Sequence, residues 1–415
     1  MSTNCYTRLL NAAQAAPSRK IIVLGASGSV GANAIQFIQQ QSNMQLTGVS
    51  VHRSVESLLQ ILSTHPCTCA CISDPQTWRT HRADLKARFP GTRFFGESEG
   101  LVEMVAWGAD SQGVDTVLTA VVGAVGIAVT MLAIERGLKI ALANKETLVT
   151  AGPAIQSRLV ELEQQGMPLP VILPVDSEHN AIFQLVQNLP AGHLREIILT
   201  ASGGPFREFS PEQIAQVKRE QVLNHPTWSM GPKITVDSAG MINKGLEIIE
   251  AHYLFGIDYD HLDALIHPDS IVHGMVGCHD GSYLFCASSP HMVFPIAHCL
   301  CYPDPVMVRH PMAAEPVHWA ALRFDPVDRQ KYPGFQLAIA AGRAGGTGPA
   351  VFNAANEIAV AAFLADQIRF TQIPVVIEET MAASIIATGG ELELYLEADQ
   401  IARQKAGVII AGLKV

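Results

Sequence analysis

The chain has 415 residues, which is too long for one ordinary hydrophobic core and predicts two or three domains. Its composition, 48% hydrophobic and 16% charged, is that of a globular protein. The formal net charge of −10 argues against a surface that binds nucleic acid or an anionic membrane. Eight cysteines without a secretory signal predict free thiols in a reducing cytoplasm.

Three of the cysteines, Cys67, Cys69 and Cys71, alternate along a short apolar stretch. Alternation would place all three on one face of a strand, whereas common zinc sites combine a Cys-x2–4-Cys pair with a second pair elsewhere in the chain. We therefore expect buried, small apolar residues here, with a metal cluster as the less favoured alternative.

A dinucleotide site is indicated near the N-terminus. Residues 21–24 predict a short apolar strand, residues 25–31 a glycine-rich turn, and residues 32–41 a helix. The glycines allow the backbone to approach a phosphate, and the helix start offers free N–H groups and the positive end of its dipole. The spacing Gly-x2-Gly-x2-Gly differs from the commoner Gly-x-Gly-x2-Gly, so the prediction depends on the position directly after a strand.

The next strand, predicted at residues 45–51, indicates which dinucleotide is bound. An NAD site usually places an acidic residue at the end of this strand to bind the ribose 2′-hydroxyl. Here the strand is followed by His52, Arg53 and Ser54, and Arg53 is well placed to meet a 2′-phosphate. The sequence therefore favours NADP over NAD, with Arg53 as a plain surface cation as the alternative.

The uncharged stretch at residues 116–134 is nearly long enough to span a membrane. Gly123 and Gly126 interrupt it, so we expect a buried strand, a glycine turn and a helix in a soluble protein. Similar reasoning predicts a strand at residues 139–143.

That strand ends at Asn144, Lys145 and Glu146. Ligands of open parallel sheets lie at the carboxyl ends of the strands, so all three residues are expected in the ligand crevice. A surface turn explains the tripeptide equally well.

Two carboxylates, Asp176 and Glu178, follow the apolar run at residues 171–173. In an extended backbone, side chains two residues apart point to the same side, so both can reach one point. Crowded carboxylates repel one another, and burying them unpaired is costly, so a hard divalent cation is the natural counter-ion. A solvated acidic loop is the alternative.

A helix predicted to begin near Asn243 supplies a third candidate ligand. Lys244 and Asn243 precede Glu247 by three and four residues, so the three side chains share one end and one face of the helix. Glu247 offers a third oxygen ligand, and Lys244 at a helix N-terminus, unfavourable for the dipole, indicates a phosphate there. A surface Lys–Glu pair is the alternative. The turn at Ser202 and Gly203 also exposes N–H groups, so it could bind phosphate. A plain tight turn is the alternative.

The segment at residues 225–232 has turn formers around Trp228, which predicts a lid over the substrate or a tryptophan that anchors a loop on the core. Strand patterns between residues 265 and 286 predict a second sheet whose apolar faces could support a dimer. The C-terminal third predicts a structural bundle of helices at residues 335–343, 350–365, 377–388 and 392–405.

These elements predict an α/β protein in three parts. They are an N-terminal Rossmann-like NADP-binding domain (1–170), a central α+β catalytic domain with a dimerisation sheet (171–311), and a linker with a C-terminal helical bundle (312–415). We expect a cytoplasmic homodimer with a small-molecule substrate and no nucleic-acid or membrane partner.

Taken together, residues 20–413 closely resemble the 1-deoxy-D-xylulose 5-phosphate reductoisomerase family. The resemblance rests on many motifs that occur in order along the chain, so chance agreement is negligible. The motifs are the turn at 24–31, Asn144-Lys145-Glu146, Asp176-Ser177-Glu178-His179-Asn180, Ser202-Gly203-Gly204-Pro205, His225-Pro226 with Trp228-Ser229-Met230-Gly231, Asp237-Ser238-Ala239, Asn243-Lys244-Gly245-Leu246-Glu247 and Asn353-Ala354-Ala355-Asn356-Glu357.

The resemblance implies a role for each matching position. One divalent cation, Mg2+ or Mn2+ with Co2+ also compatible, would be bound by Asp176, Glu178 and Glu247. The residues that carry the catalysis would be these three with Lys145 and His225. The substrate would contact Ser177, Ser202, His225, Trp228, Ser238, Asn243 and Lys244. NADPH would contact Ser27, Gly28, Ser29, Val30, His52, Arg53, Ser54, Asn144, Lys145, Glu146, Met230 and Gly231.

The implied reaction is the rearrangement of a ketose phosphate followed by its reduction with NADPH, in which the cation stabilises negative charge on the substrate oxygens. The chain departs from the family at residues 51–54, which puts those cofactor contacts in doubt, and at Pro232 and Gly240 near the lid. The alternative is another NADP-dependent two-domain dehydrogenase, such as a semialdehyde dehydrogenase, which would require a catalytic cysteine and leave three carboxylates unexplained.

Overall fold

The structure is a computed structural model that describes residues 18–123, 125–224, 230–304, 308, 316, 319 and 321–413. The predicted lid residues His225 and Trp228 lie outside the described residues. Their roles therefore stay predictions.

The first sheet contains seven strands. They are β1 (Arg19–Leu24), β2 (Met44–Val51), β3 (Cys69–Ile72), β4 (Arg93–Gly96), β5 (Thr116–Thr119), β6 (Lys139–Leu142) and β7 (Ile172–Pro174). All neighbours are parallel, in the order β4-β3-β2-β1-β5-β6-β7. The chain builds one half of the sheet outward from β1 and then returns to the other side of β1 with β5. The topological switch point, where such sheets bind ligands, therefore lies at β1.

Helices cover both faces of this sheet and bury its apolar strands in two hydrophobic cores. They are α1 (Ser29–Gln39), α2 (Val55–Thr64), α3 (Pro75–Arg88), α4 (Glu97–Gln112), α5 (Val125–Glu135) and α6 (Glu146–Gln164). The predicted Rossmann-like fold is confirmed by this alternation. Because β7 belongs to the sheet, the first folded unit extends past residue 170, and the domain limits remain a prediction.

The residue pattern predicts a helix at residues 154–165, whereas helix α6 begins eight residues earlier, at Glu146. Pro153 lies inside the helix and obscured its first turns, which bend at Ala151 with φ −119° and ψ 17°. The N-cap is Lys145, and the side chain of the preceding Asn144 accepts a hydrogen bond from the N–H of Thr147 over 2.9 Å, which satisfies one of the free N–H groups at the helix start.

The apolar stretch at 116–134 forms β5, a turn and α5, as predicted. Among the described residues, none of the helices combines the length and the hydropathy that crossing a bilayer requires.

The cysteine run is also buried as predicted. Cys69 and Cys71 lie in β3 and pack into one core, whereas Cys67 precedes the strand and packs into the core on the opposite face. The expectation that all three share a face is therefore wrong, since the strand begins only at Cys69. Burial raises the thiol pKa of Cys67 and Cys69 to about 12, which is typical of inert structural thiols.

The second sheet has five strands in the order β11-β10-β8-β9-β12, with β8 and β9 parallel and the other pairs antiparallel. These strands are β8 (Leu194–Ala201), β9 (Leu262–Ile266), β10 (Val272–Cys278), β11 (Tyr283–Ala287) and β12 (Asp325–Pro326). The last of them lies where the sequence indicated only a loop. One face packs on residues from α7 (Ser177–Val186) and α11 (Ile242–Phe255).

The segment that carries the two neighbouring carboxylates is not extended. Asp176 is the N-cap of α7, with φ −54° and ψ 133°, and Glu178 lies in the first turn of this helix. The prediction that an extended backbone aligns the two side chains is wrong. They converge because Asp176 turns the chain into the helix and accepts a hydrogen bond from the N–H of Glu178.

The remaining helices complete the fold around α11. They are α8 (Pro211–Ile214), α9 (Arg219–Val222), α10 (Pro232–Ala239), α12 (Val293–Cys301), α13 (Pro333–Ala344), α14 (Gly348–Leu364), α15 (Gln372–Ala382) and α16 (Leu392–Gly412). A hydrophobic core joins the C-terminal helices to α10 and α11, so the bundle supports the helices that carry the candidate phosphate contacts.

Candidate active site

A cleft of about 500 Å3 lies between the carboxyl end of the first sheet and the second sheet. Most of the predicted site residues line it, although they come from distant parts of the chain. These are Gly28, Ser29, Val30, Asn144, Lys145, Glu146, Asp176, Ser177, Glu178, Ser202, Met230, Gly231, Ser238, Asn243, Lys244 and Glu247. The structure does not bring Ser27, His52, Arg53 or Ser54 into the lining of this cleft.

The glycine turn after β1 is shaped by two close backbone contacts. A Cβ on Gly25, which has φ +81°, would lie 2.2 Å from the carbonyl oxygen of Ala120, and one on Gly31 would lie 2.4 Å from the carbonyl oxygen of Gly25. Gly28 is the N-cap of α1 and faces the cleft. The turn thus presents a helix N-terminus to the cleft at the switch point, as a dinucleotide phosphate requires.

Arg53 lies beyond the end of β2, beside the turn that follows β1. Its Nε donates to Asp74 Oδ1 over 2.9 Å, and its side chain is 73% exposed. Asp74 in turn caps α3 through the N–H of Thr77. The guanidinium therefore has a fixed anchor and open solvent around it, which suits an anionic ligand at the rim.

Asn144 and Glu146 contribute differently at the end of β6. The amide of Asn144 donates to the carbonyl oxygen of Val121 and accepts from Thr147, so its side chain fixes the β6–α6 turn. Glu146 is nearly buried and lies 3.6 Å from the ammonium group of Lys233. Lys233 also lies 2.8 Å from Asp237 and lines the cleft. This lysine is a site residue that the sequence reasoning missed, because only the fold brings α10 against α6.

The three carboxylates of Asp176, Glu178 and Glu247 converge in the cleft. One oxygen from each lies within 4.8 Å of the others. Glu247 is 1% exposed, and the other two are partly buried. Three oxygen donors at this spacing suit a hard divalent cation that keeps further positions for other ligands. The donor set therefore fits the predicted metal.

Two lysines neutralise these carboxylates in the protein alone. Lys145 Nζ lies 2.9 Å from Asp176 Oδ2 and 3.3 Å from Glu247 Oε1. Lys244 Nζ lies 2.8 Å from Glu178 Oε1 and also contacts Glu247. The charge of Lys244 at the start of α11 is therefore balanced by carboxylates, and needs no phosphate for its stability.

The crowding of these charges shifts their protonation. Burial, together with the neighbouring carboxylate of Asp176, raises the pKa of Glu247 to about 7. Burial alone would also raise the pKa of Asp176, but Lys145, His179 and Lys244 hold that pKa well below its usual range. Burial disfavours the charged form of Lys145, yet Asp176 and Glu247 raise its pKa well above the ordinary value. The cluster thus has one carboxyl group that titrates near neutrality.

The candidate phosphate contacts surround the entrance to this cluster. Ser202 Oγ accepts a hydrogen bond from the N–H of Gly204, and Ser238 Oγ donates to the carbonyl oxygen of Ile234. Between Ser238 and the start of α11, Met241 adopts a left-handed conformation with φ 58°, at a conformational cost of roughly 1–2 kcal/mol. This sharp reversal turns the chain from α10 into α11, so that Ser238 and Asn243 line the same cleft.

A buried ion pair lies behind the metal-ligand candidates. His179 Nδ1 is 3.2 Å from Glu250 Oε2, and its Nε2 is 2.9 Å from the carbonyl oxygen of Glu247. Burial would lower the pKa of His179, but the charge of Glu250 raises it to about 9. This pair joins α7 to α11 and was not predicted from the sequence.

Two further histidines lie in different surroundings. His273 lines the cleft, whereas His267 is buried and bonded to the carbonyl oxygen of Arg323.

A glycine turn at the switch point of a parallel sheet, facing a carboxylate cluster across one cleft, is the arrangement of a dinucleotide-dependent oxidoreductase with a metal centre. Three stretches of the chain match family models. Residues 21–152 match the model for 1-deoxy-D-xylulose 5-phosphate reductoisomerase, and residues 172–255 match the model for the C-terminal domain of 1-deoxy-D-xylulose 5-phosphate reductoisomerase. Residues 287–405 match the model for the DXP reductoisomerase C-terminal domain. The chain belongs to the 1-deoxy-D-xylulose 5-phosphate reductoisomerase family.

Relatives and solved structures agree with this assignment. The enzyme of this name from Leptospira borgpetersenii is 46% identical over 388 residues, which cover 92% of this chain and 95% of the relative. The corresponding protein from a Cyanothece species is 42% identical over 93% of this chain and 98% of its own. The structure from Zymomonas mobilis in complex with NADPH superposes with a TM-score of 0.83 at 36% identity, covering 95% of this chain and 100% of that one. A reductoisomerase in complex with NADPH, fosmidomycin and magnesium gives a TM-score of 0.87 at 34% identity, over 95% of this chain and 98% of that one.

Proposed function

We propose that the protein catalyses the NADPH- and metal-dependent conversion of 1-deoxy-D-xylulose 5-phosphate into 2-C-methyl-D-erythritol 4-phosphate, in the methylerythritol phosphate route to isoprenoids. The observation that carries this proposal is the convergence of Asp176, Glu178 and Glu247 in the same cleft as the glycine turn after β1. Related proteins have been solved with NADPH, magnesium and fosmidomycin bound.

Asp176, Glu178 and Glu247 are the residues that would hold the divalent cation. Bound there, the cation supplies Lewis-acid stabilisation of negative charge on the substrate oxygens during the rearrangement. Asp176 is ionised, because its pKa is held well below the usual range, whereas Glu247, whose pKa is raised to about 7, can bind the cation only in its ionised form. The buried pair of His179 and Glu250 keeps α7 and α11 at a fixed distance and so preserves the spacing of the ligands.

Lys145 and Lys244 are the cations available to the substrate. Their present partners are the candidate metal ligands, so once these carboxylates bind a cation both ammonium groups are free to turn to substrate oxygens. Lys244, with Ser202, Ser238 and Asn243, surrounds the space we assign to the substrate phosphate. Contacts to this non-reacting group orient the substrate, while Lys145 and Ser177 bind oxygens near the reacting carbons.

The NADPH site is proposed at the opposite side of the cleft. Gly28, Ser29 and Val30 present the N-terminus of α1 to the pyrophosphate, and Asn144, Glu146, Met230 and Gly231 line the path toward the carboxylates. The rim residues Ser27, His52, Arg53 and Ser54 would meet the adenosine end, with Arg53 on the 2′-phosphate. His225 and Trp228 are proposed to close over the substrate.

We further propose a cytoplasmic homodimer that pairs through the second sheet. Strand β11 is an edge strand, and its consecutive side chains Tyr283, Leu284 and Phe285 are 49%, 42% and 48% exposed. An apolar edge strand of this kind is an aggregation hazard in a lone protomer and is usually covered.

The test is NADPH oxidation with 1-deoxy-D-xylulose 5-phosphate as substrate, before and after thorough chelation with EDTA. We expect turnover that chelation abolishes and that Mg2+ or Mn2+ restores. Glu247→Gln should fold normally and lose activity, because a neutral amide is a poor ligand for a hard cation. Turnover that survives chelation would contradict the metal site. The alternative semialdehyde dehydrogenase finds no support, since the described residues that line the cleft include no cysteine.

A further inference from the structure

A second group of potential metal ligands lies far from the cleft. It consists of His193, Cys278 and Asp280, at the start of β8 and the end of β10. The cleft is at the other end of these strands, where β8 leads into Ser202. Since β8 has eight residues at about 3.3 Å per residue, the two ends lie roughly 20 Å apart. Nothing in the proposed reaction uses this group.

The geometry of the group is set by the backbone of the second sheet. Cys278 pairs with Leu194 across β10 and β8, and the N–H of His279 donates to the carbonyl oxygen of His193 over 3.0 Å. These contacts hold the two segments in register before any ion binds. One ligand atom from each of His193, Cys278 and Asp280 lies within 4.8 Å of the others.

The carboxylate of Asp280 is oriented by the turn that it caps. Its Oδ1 accepts hydrogen bonds from the N–H of Ser282 over 2.9 Å and from the hydroxyl of Ser282 over 2.7 Å. Its Oδ2 lies 3.6 Å from His193 Nε2, which is longer than a hydrogen bond. One oxygen is therefore fixed by the turn, and the other lies beside the imidazole of His193.

We propose that His193 Nε2, Cys278 Sγ and Asp280 Oδ2 form a binding site for a borderline-soft divalent metal ion of the Zn2+ class. A thiolate, an imidazole and a carboxylate are all zinc ligands, and three protein ligands leave a fourth position for water. Coordination takes the thiol of Cys278 as a thiolate, and its proton is released to solvent. The site differs in kind from the cleft, whose donors are all carboxylate oxygens.

The exposure of the three side chains gives the ion a route of entry. Cys278 is fully buried, whereas the side chains of His193 and Asp280 are 33% and 57% exposed. An ion approaching from solvent meets the carboxylate and the imidazole before the thiol. Once bound, it ties the turn before edge strand β11 to the segment before β8, so it stabilises the edge of the second sheet.

The experiment uses Co2+ as a spectroscopic probe on the full-length protein. A thiolate bound to Co2+ gives intense charge-transfer absorption in the near ultraviolet, and oxygen ligands do not, so the cleft is silent in this assay. In the wild type the cleft can take up the first equivalent of Co2+ without a signal, so we expect the band after a second equivalent. In Glu247→Gln, whose cleft has lost a ligand, we expect the band with the first equivalent. Absence of the band in both proteins would overturn the proposal.

Matched variants show which residues bind the Co2+ ion that produces the band. Cys278→Ser should abolish it, whereas Cys286→Ser should keep it, because Cys286 lies on the next strand and belongs to no three-residue ligand group among the described residues. Asp280→Asn keeps an oxygen for Ser282 and should weaken Zn2+ binding about tenfold or more, with turnover unchanged. If Cys278→Ser does not fold, the Zn2+ affinity of Asp280→Asn tests the proposal in its place. A band retained in Cys278→Ser, or Zn2+ affinity unchanged in Asp280→Asn, would overturn the proposal.

Discussion

Lys244 Nζ lies 2.8 Å from Glu178 Oε1, although 66 residues separate the two along the chain. The same ammonium group contacts Glu247, so in the protein alone Lys244 is the counter-ion of two candidate metal ligands. A divalent cation and this lysine therefore compete for the same carboxylates. The proposed function gives Lys244 a second partner, the substrate phosphate, which it can bind once the cation has replaced it.

Lys244→Met is expected to affect metal and substrate in opposite directions. Removing the ammonium group leaves the carboxylates without a competitor, so Mn2+ should bind more tightly than to the wild type. The substrate loses a buried charged contact worth about 2 kcal/mol or more, so kcat/KM should fall roughly 30-fold or more. Calorimetric Mn2+ titration and steady-state kinetics measure the two effects.

Lys233→Met is the matched control for this variant. Lys233 is also a cleft lysine, but its partners are Asp237 and Glu146 rather than metal-ligand candidates. Its loss should leave Mn2+ affinity unchanged. Weaker Mn2+ binding in Lys244→Met would show that the lysine supports the metal site instead of competing with it.

The pKa of Glu247, raised to about 7 by burial and by Asp176, predicts a pH-dependent metal affinity. A cation binds the ionised carboxylate, so protons compete with it below pH 7 and no longer do so above. Affinity for Mg2+ or Mn2+ should therefore fall about tenfold per pH unit below 7 and level off above it. Titrations from pH 5.5 to 8.5 measure this, and a flat profile would contradict the assignment.

The raised pKa of Glu247 also makes the stability of the metal-free protein depend on pH. The folded pKa of Glu247 lies above its unfolded value of 4.5, so between pH 4.5 and 7 the folded state binds more protons than the unfolded state. The contribution of this group is fully present below pH 4.5 and is lost as pH rises through 7. We expect Glu247→Gln to remove this part of the pH dependence in chelator, as measured by urea unfolding at several pH values.

The sequence predicted the local parts of the site well. The spacing of Asn243, Lys244 and Glu247 on one helix was enough to expect them together, because three- and four-residue separations are neighbours on any helix. The structure shows the expected contacts, with both Asn243 and Lys244 bonded to Glu247. For Asp176 and Glu178, the structure confirms that the two carboxylates converge, but the predicted extended backbone is wrong. Both a strand and a helix N-terminus can bring such a pair together, and the capping role of Asp176 decided between them.

Long-range partners could not be predicted in the same way. Lys233 and Asp237 are neighbours four residues apart on α10. By contrast, Glu250 pairs with His179, and Lys233 with Glu146, only because helices from different parts of the sequence pack together. A single sequence carries no signal for such pairs beyond charged residues in apolar helices. Their burial, with Glu250 and Asp237 each 1% exposed, is what identifies them as part of the site's support.

Arg53→Ala should weaken NADPH binding more than NADH binding. Arg53 is largely exposed and anchored by Asp74, so its proposed partner is the 2′-phosphate that only NADPH carries. A charge-assisted contact at an exposed rim is worth about 1.5–3 kcal/mol, which corresponds to roughly a 10- to 150-fold loss. Fluorescence titration with both dinucleotides measures it.

Asp74→Asn serves as the control for Arg53. Asparagine is an equally good N-cap, so α3 should stay intact while Arg53 loses its carboxylate partner. NADPH binding should weaken much less in this variant than in Arg53→Ala, because the guanidinium charge remains. Equal losses of NADPH and NADH in Arg53→Ala would reject the 2′-phosphate role.

The C-terminal bundle, interpreted from sequence as purely structural, is joined to helix α10 of the site by a buried hydrogen bond. Asn356 Nδ2 on α14 donates to Asp237 Oδ1 on α10 over 3.0 Å, and both side chains are buried. Asn356→Ala leaves a buried carboxylate oxygen without its donor, which should lower the free energy of unfolding by about 1–3 kcal/mol. Because α10 also carries Ser238, this variant should raise the KM for substrate several-fold. Asn353→Ala, one turn away, removes only a bond to Glu357 within α14 and should leave KM unchanged. Equal KM values in the two variants would show that the bundle stabilises the fold without positioning the phosphate site.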